Sequence, residues 1–379
     1  MTKTSRRELL GVIKRQYARA TRPEKTNILN EFCRTAGYHR AYATRILQRR
    51  HQYRSWQRHR PRRYGSPFFA VIVRLWELLE YPCGVRLKPQ LAPFADRLIQ
   101  SKELDDLSDA WRHQLRMISS KTLDRRLRRE RQIRRLGRGR STTRHGSLLK
   151  SAVPIRLTNW DTRDIGFMEM DTVAHCGEHL AGEFIYSLDM VEIATGWSEQ
   201  VAVLGKGERG IVQAIEPVKQ GLPFTLKGLD SDTGSEFVNW HMVKWCQEQG
   251  LFFTRSRPYM KNDNAYVEQK NYTHIRKWLG YGRYDTREQL KLINELYRGD
   301  LRLWNNFFRP VMKIKSKEKV NNSLCRKTYD VAQTPYQRLV GSPQIPLETK
   351  QRLQTLYESL NPVKLKASIE VKLKRLRQS

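Results

Sequence analysis

One stretch constrains the whole chain: Gly228 to Glu268, in which two acids, Asp232 and Glu268, stand with thirty-five residues between them. The apolar run Phe224–Leu229 reads as a buried strand. Asp230-Ser231-Asp232-Thr233-Gly234 follows as a turn signal. Next comes a helical pattern with Phe237, Trp240, Val243 and Trp245, then a second short strand at Leu251-Phe252-Phe253. A polar loop over residues 256–264 leads into a helix that carries Glu268. Upstream, Ile165–Asp171 alternates apolar and polar residues like a half-buried strand and ends in a third acid. Glu169 lies two residues back on the face of that strand that carries Asp171.

Three carboxylates on separate elements suit a phosphodiester site built on divalent cations. Mg²⁺ prefers oxygen ligands and keeps positions for water and phosphate. Two such ions hold the attacking and the leaving oxygen of an in-line displacement, so no protein nucleophile is required. Asp230 competes with Asp232 for the second position, since either could close the strand.

The same residues carry a resemblance. Asp171-Thr172, the string Ser231-Asp232-Thr233-Gly234-Ser235-Glu236-Phe237, and Asn264-Ala265-Tyr266-Val267-Glu268 at its spacing resemble the Asp, Asp, Glu signature of integrase-type transposases. That superfamily includes retroviral integrases and many bacterial insertion-sequence transposases. The resemblance covers roughly residues 160–310. It implies a ribonuclease-H-like α/β core with Asp171, Asp232 and Glu268 as catalytic metal ligands. The ligand sits directly before the Thr-Gly turn, which favours Asp232 over Asp230. It implies two Mg²⁺ or Mn²⁺ ions. It also implies a DNA transposase that binds element ends, cuts at the 3′ end and transfers the strand into target DNA. Two alternatives stay open: a catalytically silent DNA-binding protein, and a metal-dependent nuclease that cuts without joining. Asn264 and Asn271 share the helix face of Glu268 and are candidate DNA contacts.

Composition points to the same partner. The net charge is +33, a statement about association rather than fold. Spread among many aromatics and set against an acidic triad, it favours double-stranded DNA. Five dispersed cysteines without a Cys-x-x-Cys pair fit a reducing compartment. No apolar run is long enough for a membrane span. The expected location is therefore the cytoplasm, at the nucleoid. His175, Cys176 and His179 are too few and too compressed for a zinc site and read as a hairpin loop.

The flanks read as helical. Residues 1–60 form a helix-turn-helix unit: Arg7–Ala20, a restart marked by Pro23 and Thr26 with a helix from Asn27 to Thr35, a turn at Gly37, and a third helix His39–Arg50. The third helix presents Arg40, Arg45, Arg49 and Arg50 to DNA. Residues 66–136 form a second helical DNA-binding unit, with helices over Pro67–Glu80, Leu91–Gln100 and Leu107–Gln114. Its reader helix, Lys121–Arg135, follows a Ser-Thr cap and carries Arg125, Arg126, Arg128 and Arg129. A basic linker spans 137–160, the catalytic core 161–310 and a small basic C-terminal module 311–379. In that module Val311–Lys315 and Lys327–Val331 read as strands and residues 347–378 as helix. The Arg287–Asn306 helix carries more apolar surface than one small sheet needs, and paired element ends need paired active sites. A homo-oligomer on DNA is expected.

Overall fold

The computed structural model describes residues 3–48, 64–133, 164–205, 207–232, 237, 239–256, 265–319 and 325–379. The basic linker 137–160, Arg49, Arg50, Asn264 and the turn residues Thr233–Glu236 therefore lie outside the described residues. The chain divides into two compact units, residues 1–63 and residues 64–379.

The first unit is three helices, α1 (Lys3–Arg19), α2 (Arg22–Ala36) and α3 (Arg40–Gln48). They close on Tyr17, Leu29, Phe32, Ala36, Ala43 and Leu47. The second helix starts at Arg22, not at Asn27. Pro23 sits in the first turn, where its missing N–H costs nothing. The Glu24 carboxylate there accepts from the N–H and hydroxyl of Thr21 at 2.7 and 2.8 Å. Gly37 ends the helix at φ 69°, a conformation glycine adopts without strain. Arg40 and Arg45 are exposed on α3, Arg45 on the face away from buried Ala43 and Leu47. Arg40 also donates to the Asn30 side chain, and the Arg45 guanidinium lies 5.3 Å from the Tyr42 ring.

The second unit opens with α4 (Ser66–Leu78), α5 (Gly84–Gln100), α6 (Asp109–Met117) and α7 (Ser120–Ile133). The helix expected over Leu91–Gln100 starts earlier, at Gly84, and runs through Pro89 and Pro93. Burial of Leu87, Leu91, Phe94 and Leu98 outweighs the local cost of the prolines. Gly84 begins α5 where a Cβ would meet the Ser120 carbonyl at 2.2 Å, so α5 and α7 touch at their starts. The Asp124 carboxylate accepts from Gly84 N–H (2.9 Å) and from Arg131 (3.0 Å) there. Arg126 donates to the Tyr64 carbonyl at 2.8 Å and lies 4.1 Å from the Phe69 ring, so it works inside the helical unit. Arg125, Arg128 and Arg129 are exposed.

The core sheet has five strands, β1 (Phe167–Ala174), β2 (Ile185–Glu192), β3 (Ser198–Leu204), β4 (Gly228–Ser231) and β5 (Phe252–Arg255), with α8 (Glu208–Gly221) and α9 (Trp240–Glu248) in the crossovers. The spatial order is β3-β2-β1-β4-β5. The first three strands pair antiparallel, and β1, β4 and β5 pair parallel. This is the mixed sheet expected from three strands followed by alternating helix and strand. Two boundaries differ. β1 continues past Asp171 to Ala174, because its antiparallel ladder with β2 does not stop there. β4 starts at Gly228 instead of Phe224, so Asp230 lies inside the strand and Asp232 follows it.

After the sheet, α10 (Ala265–Lys270) passes through a π-helical segment, Asn271–Arg276, into α11 (Lys277–Leu279). α12 (Arg287–Leu296) continues through π-helical turns to Phe308. Its apolar stripe, Leu292, Ile293, Leu296, Tyr297, Leu301 and Trp304, is buried within this same unit. The surface expected to be left over for a second copy is covered by the chain itself. A two-stranded ribbon, β6 (Ile314–Lys319) and β7 (Cys325–Tyr329), precedes α13 (Pro335–Gly341), α14 (Leu347–Ser359) and α15 (Pro362–Gln378). The expected C-terminal helix is broken at Leu360, where Asn361 caps α15 through Val363 and Lys364 N–H.

The second helical unit, the core and the C-terminal helices share one hydrophobic core. Arg97 Nε donates to the Leu360 carbonyl at 3.0 Å, and Gln90 donates to Ala332 O at 3.2 Å. Glu80, at the α4–α5 corner, joins three segments: its carboxylate meets Lys277 of α11 at 2.8 Å and Lys366 of α15 at 2.5 Å. Burial disfavours its charge, but the two lysines outweigh burial and hold its carboxyl below the usual range. A depressed carboxyl stabilises the fold above its unfolded pKa, and that contribution is lost as pH falls through the folded value. Glu80→Ala would strand two largely buried ammonium groups and is predicted to cost about 3 kcal/mol. Thermal melts at pH 7 should show the loss, and the gap to wild type should close below about pH 4.

Candidate active site

The sheet register assembles the site. β1 and β4 run parallel with Met170 opposite Ser231, so the next residue of each, Asp171 and Asp232, comes level where that ladder ends. This is the carboxyl edge of two parallel strands, where open α/β sheets leave room for ligands. Asp171 also sits opposite Asp189 of β2, and Asp189 opposite Gln200 of β3. Opposed residues project to one face, so Asp171, Asp189 and Gln200 form a polar row across the sheet.

Asp171 is half-buried. Its Oδ1 accepts from Thr172 N–H at 2.7 Å and its Oδ2 from the Asn271 amide at 2.6 Å. Burial, with the charge of Asp232 beside it, pushes its carboxyl up to about 7. Asp189 is fully buried and accepts from Gln200 at 2.9 Å. Burial pushes it up to about 7 as well. Both shifts mean that the folded chain disfavours the ionised form of these two carboxyls.

Asp230 is excluded from the edge by its own position. It is fully buried inside β4, and its Oδ1 accepts the Thr254 hydroxyl from β5 at 2.5 Å. Asp232 follows the strand and is half-buried.

Glu268 is exposed on α10. Two contacts place its helix. The Glu169 carboxylate, fully buried on β1, accepts from the backbone N–H of Tyr266 at 2.9 Å and of Val267 at 3.2 Å. Asn271, one helical turn after Glu268, reaches Asp171. Helix and strand are therefore pinned at two successive points, and Glu268 lies between them. Asn271, a candidate DNA contact from the sequence, is thus engaged with Asp171. Lys270, on the buried side of the helix, is pushed down to about 7, first by burial, then by the Arg309 charge, with Asp189 opposing. Its Nζ is 3.5 Å from His274 Nε2.

Among the described residues, no group of three or more His, Cys, Asp or Glu side chains is gathered closely enough to hold a metal. Asp171 and Asp232 are brought together; exposed Glu268 is not drawn onto them. The donor set nonetheless suits a hard cation: two carboxylates at a strand edge, one of them raised by burial and by its neighbour's charge. His175 is buried with Nε2 at 2.7 Å from Ser187 Oγ, and Ser187 Oγ lies 2.6 Å from Tyr297 Oη. That loop residue serves the core.

Sequence reasoning treated Glu169 as a neighbour of Asp171, where it is the anchor of the next helix. It missed Asp189 altogether. The available signal was an acid inside an otherwise apolar strand, Ile185–Glu192.

No family model matches the chain. Among solved structures, the catalytic core domain of BIV integrase is similar over 45% of this chain and 91% of its own, at 16% identity and a TM-score of 0.27. Among curated proteins, the uncharacterized protein y4rM of Sinorhizobium fredii is 36% identical over 326 residues, 85% of this chain and 92% of that protein. The chain belongs to the family of y4rM.

Proposed function

We propose that the chain is a DNA transposase of the integrase type, which cuts at element ends and transfers the freed 3′ strand into target DNA. The observation that carries the reading is the β1–β4 register: it sets Asp171 level with Asp232, while Asn271, one turn beyond Glu268, is bonded to Asp171. Asp171, Asp232 and Glu268 would hold Mg²⁺ or Mn²⁺, two ions in the full site. When bound, these supply Lewis-acid stabilisation of the phosphodiester and activation of water or a 3′-hydroxyl. Asn271 orients the Asp171 carboxylate, and Glu169 fixes the helix that brings Glu268. The arginines of α3 and the exposed face of α7 (Arg125, Arg128, Arg129) bind duplex DNA through phosphate contacts. Two protomers act on paired ends.

Changing Glu268 to Gln, or Asp232 to Asn, should lower Mg²⁺-dependent cleavage and joining of element-end oligonucleotides by more than about 100-fold, since even an outer partner of a metal ligand is worth 10–100-fold. End binding should persist in gel-shift assays. Asn271→Ala should cost roughly 10–100-fold for the same reason. Asp230→Asn, which touches the Thr254 hydrogen bond, should keep activity. Normal cutting by the Glu268→Gln protein would sink the assignment, and cutting without joining in the wild type would identify a nuclease.

The raised carboxyl gives a second test. Asp171 holds its proton to about pH 7 in the folded chain, whereas the unfolded chain ionises it near 4. The folded form binds more protons between these values, so metal-free stability falls as pH rises from about 4 to 7. A bound cation requires the ionised form. Mn²⁺ should therefore raise the melting temperature strongly at pH 8 and little at pH 5.5. An equal rise at both would remove Asp171 from the ligand set.

A further inference from the structure

The β6–β7 ribbon has no role in the site just described. Among the described residues its strands pair only with each other, as a separate two-stranded sheet. Every side chain described in them is exposed except Ser316, which is half-buried. Isolated two-stranded ribbons are marginal in water, so what keeps this one is its root. Asp330 Oδ1 accepts Lys313 N–H at 2.7 Å, Asp330 Oδ2 accepts Arg338 at 2.7 Å, and Arg338 also donates to the Val311 carbonyl at 3.1 Å. Lys313 then fixes the root to the core. Its Nζ donates to the Ile193 carbonyl and lies 5.1 Å from the centre of the Tyr266 ring. Tyr266 stands two residues before Glu268, so the root of the ribbon lies beside the helix of the candidate active site.

Its chemistry is one-sided. The strand sequences IKSKEK and CRKTY carry five basic residues against one acid, Glu318. The register sets Lys317 opposite Lys327, with Glu318 opposite Arg326. A ribbon with so strong an excess of basic residues suits an anionic partner. Lys-rich edges also discourage pairing with a second copy.

We propose that β6–β7 is a duplex-gripping arm that enters the major groove of DNA next to the site of strand cleavage. A two-stranded ribbon fits a B-form major groove, about 12 Å wide, and six residues extend about 20 Å, enough to follow it. The deep, narrow major groove of duplex RNA does not admit it. The arm rests on the reading of the chain as a DNA-acting protein, but its test needs no catalysis.

The full-length protein is titrated against a fluorescent random-sequence 30-base-pair DNA duplex in EDTA over a range of salt. The triple variant Lys315→Ala/Arg326→Ala/Lys327→Ala should flatten the log–log salt slope by up to about 2.7, at about 0.9 per lost phosphate contact. These three side chains are exposed, so the melting temperature should not move. A charge-matched control on the exposed face of α15, Lys364→Ala/Lys374→Ala/Arg375→Ala, should change the slope by less than one contact. The ribbon variant should bind an RNA duplex of the same sequence as well as wild type does. An unchanged slope on DNA overturns the proposal. So does an equal loss with the control triple or on RNA, since either result leaves only general attraction to phosphate. A flattened slope in a protein that never cuts DNA would keep the arm and remove the catalytic reading. A normal slope in a protein that cuts would do the reverse.

Discussion

The candidate site depends on a buried carboxylate that is not itself at the strand edge. Glu169 accepts from two backbone amides at the start of α10, the helix that carries Glu268. Orphan amides at a helix start are partly positive, and a carboxylate is their best partner. Here the partner comes from β1, two residues before Asp171. One hydrogen-bonded group thus fixes the distance between the strand of the first acid and the helix of the last. Asn271 on Asp171 then adds a second tie one turn further on. Charge so deeply buried is expensive without partners. Lys313 lies close enough to feel Glu169, and although burial lowers the lysine to about 8, Glu192, Asp330 and Glu169 oppose that shift.

The strand row beneath the helix obeys the same logic. Asp171 and Asp189 stand opposite each other in an antiparallel ladder, an arrangement that repels when both are ionised. The fold offsets this with neutral donors, Asn271 on one and Gln200 on the other, and with Lys270 above Asp189. It does not offset it fully, since both carboxyls stay near 7. Carboxyls raised in this way are common at functional sites, and these two stand in one row with the strand edge.

Much of this was legible in the sequence because period and turn chemistry agreed. Ile165–Asp171 alternates, Leu251–Phe253 is short and apolar, and the succession of strands and helices along the core followed from such runs. What the sequence hid were matters of tertiary context. The helix expected from Leu91 begins at Gly84 and includes Pro89 and Pro93, because buried Leu87, Leu91, Phe94 and Leu98 on α5 carry it through them. Pro23 read as a boundary marker and is a first-turn residue. The Arg287–Asn306 stripe looked larger than the sheet could use because α15, some sixty residues later, contributes Ile369 and Leu373 to the same core. Asp189 was passed over and Glu169 was noted only for sharing the Asp171 face, since nothing local says which acid in a strand faces a helix not yet placed.

Charge ties these levels together. A duplex brought to Asp171 and Asp232 meets carboxylates of its own sign, and a chain with net charge +33 supplies the opposing field. That field is not uniform. Several basic residues are used up inside the fold: Lys277 and Lys366 on Glu80, Arg126 on Tyr64 and Phe69, Lys313 at the ribbon root, Arg302 on Glu199. Other basic residues stay exposed, among them those of α3, α7, α15 and β6–β7, and under the proposed reading these are open to phosphate. Because bound phosphate releases counterions wherever it is met, affinity alone cannot say which of these surfaces matters. Position can. The root of the ribbon touches the helix of Glu268, so a duplex gripped there, as proposed, would lie beside the acids.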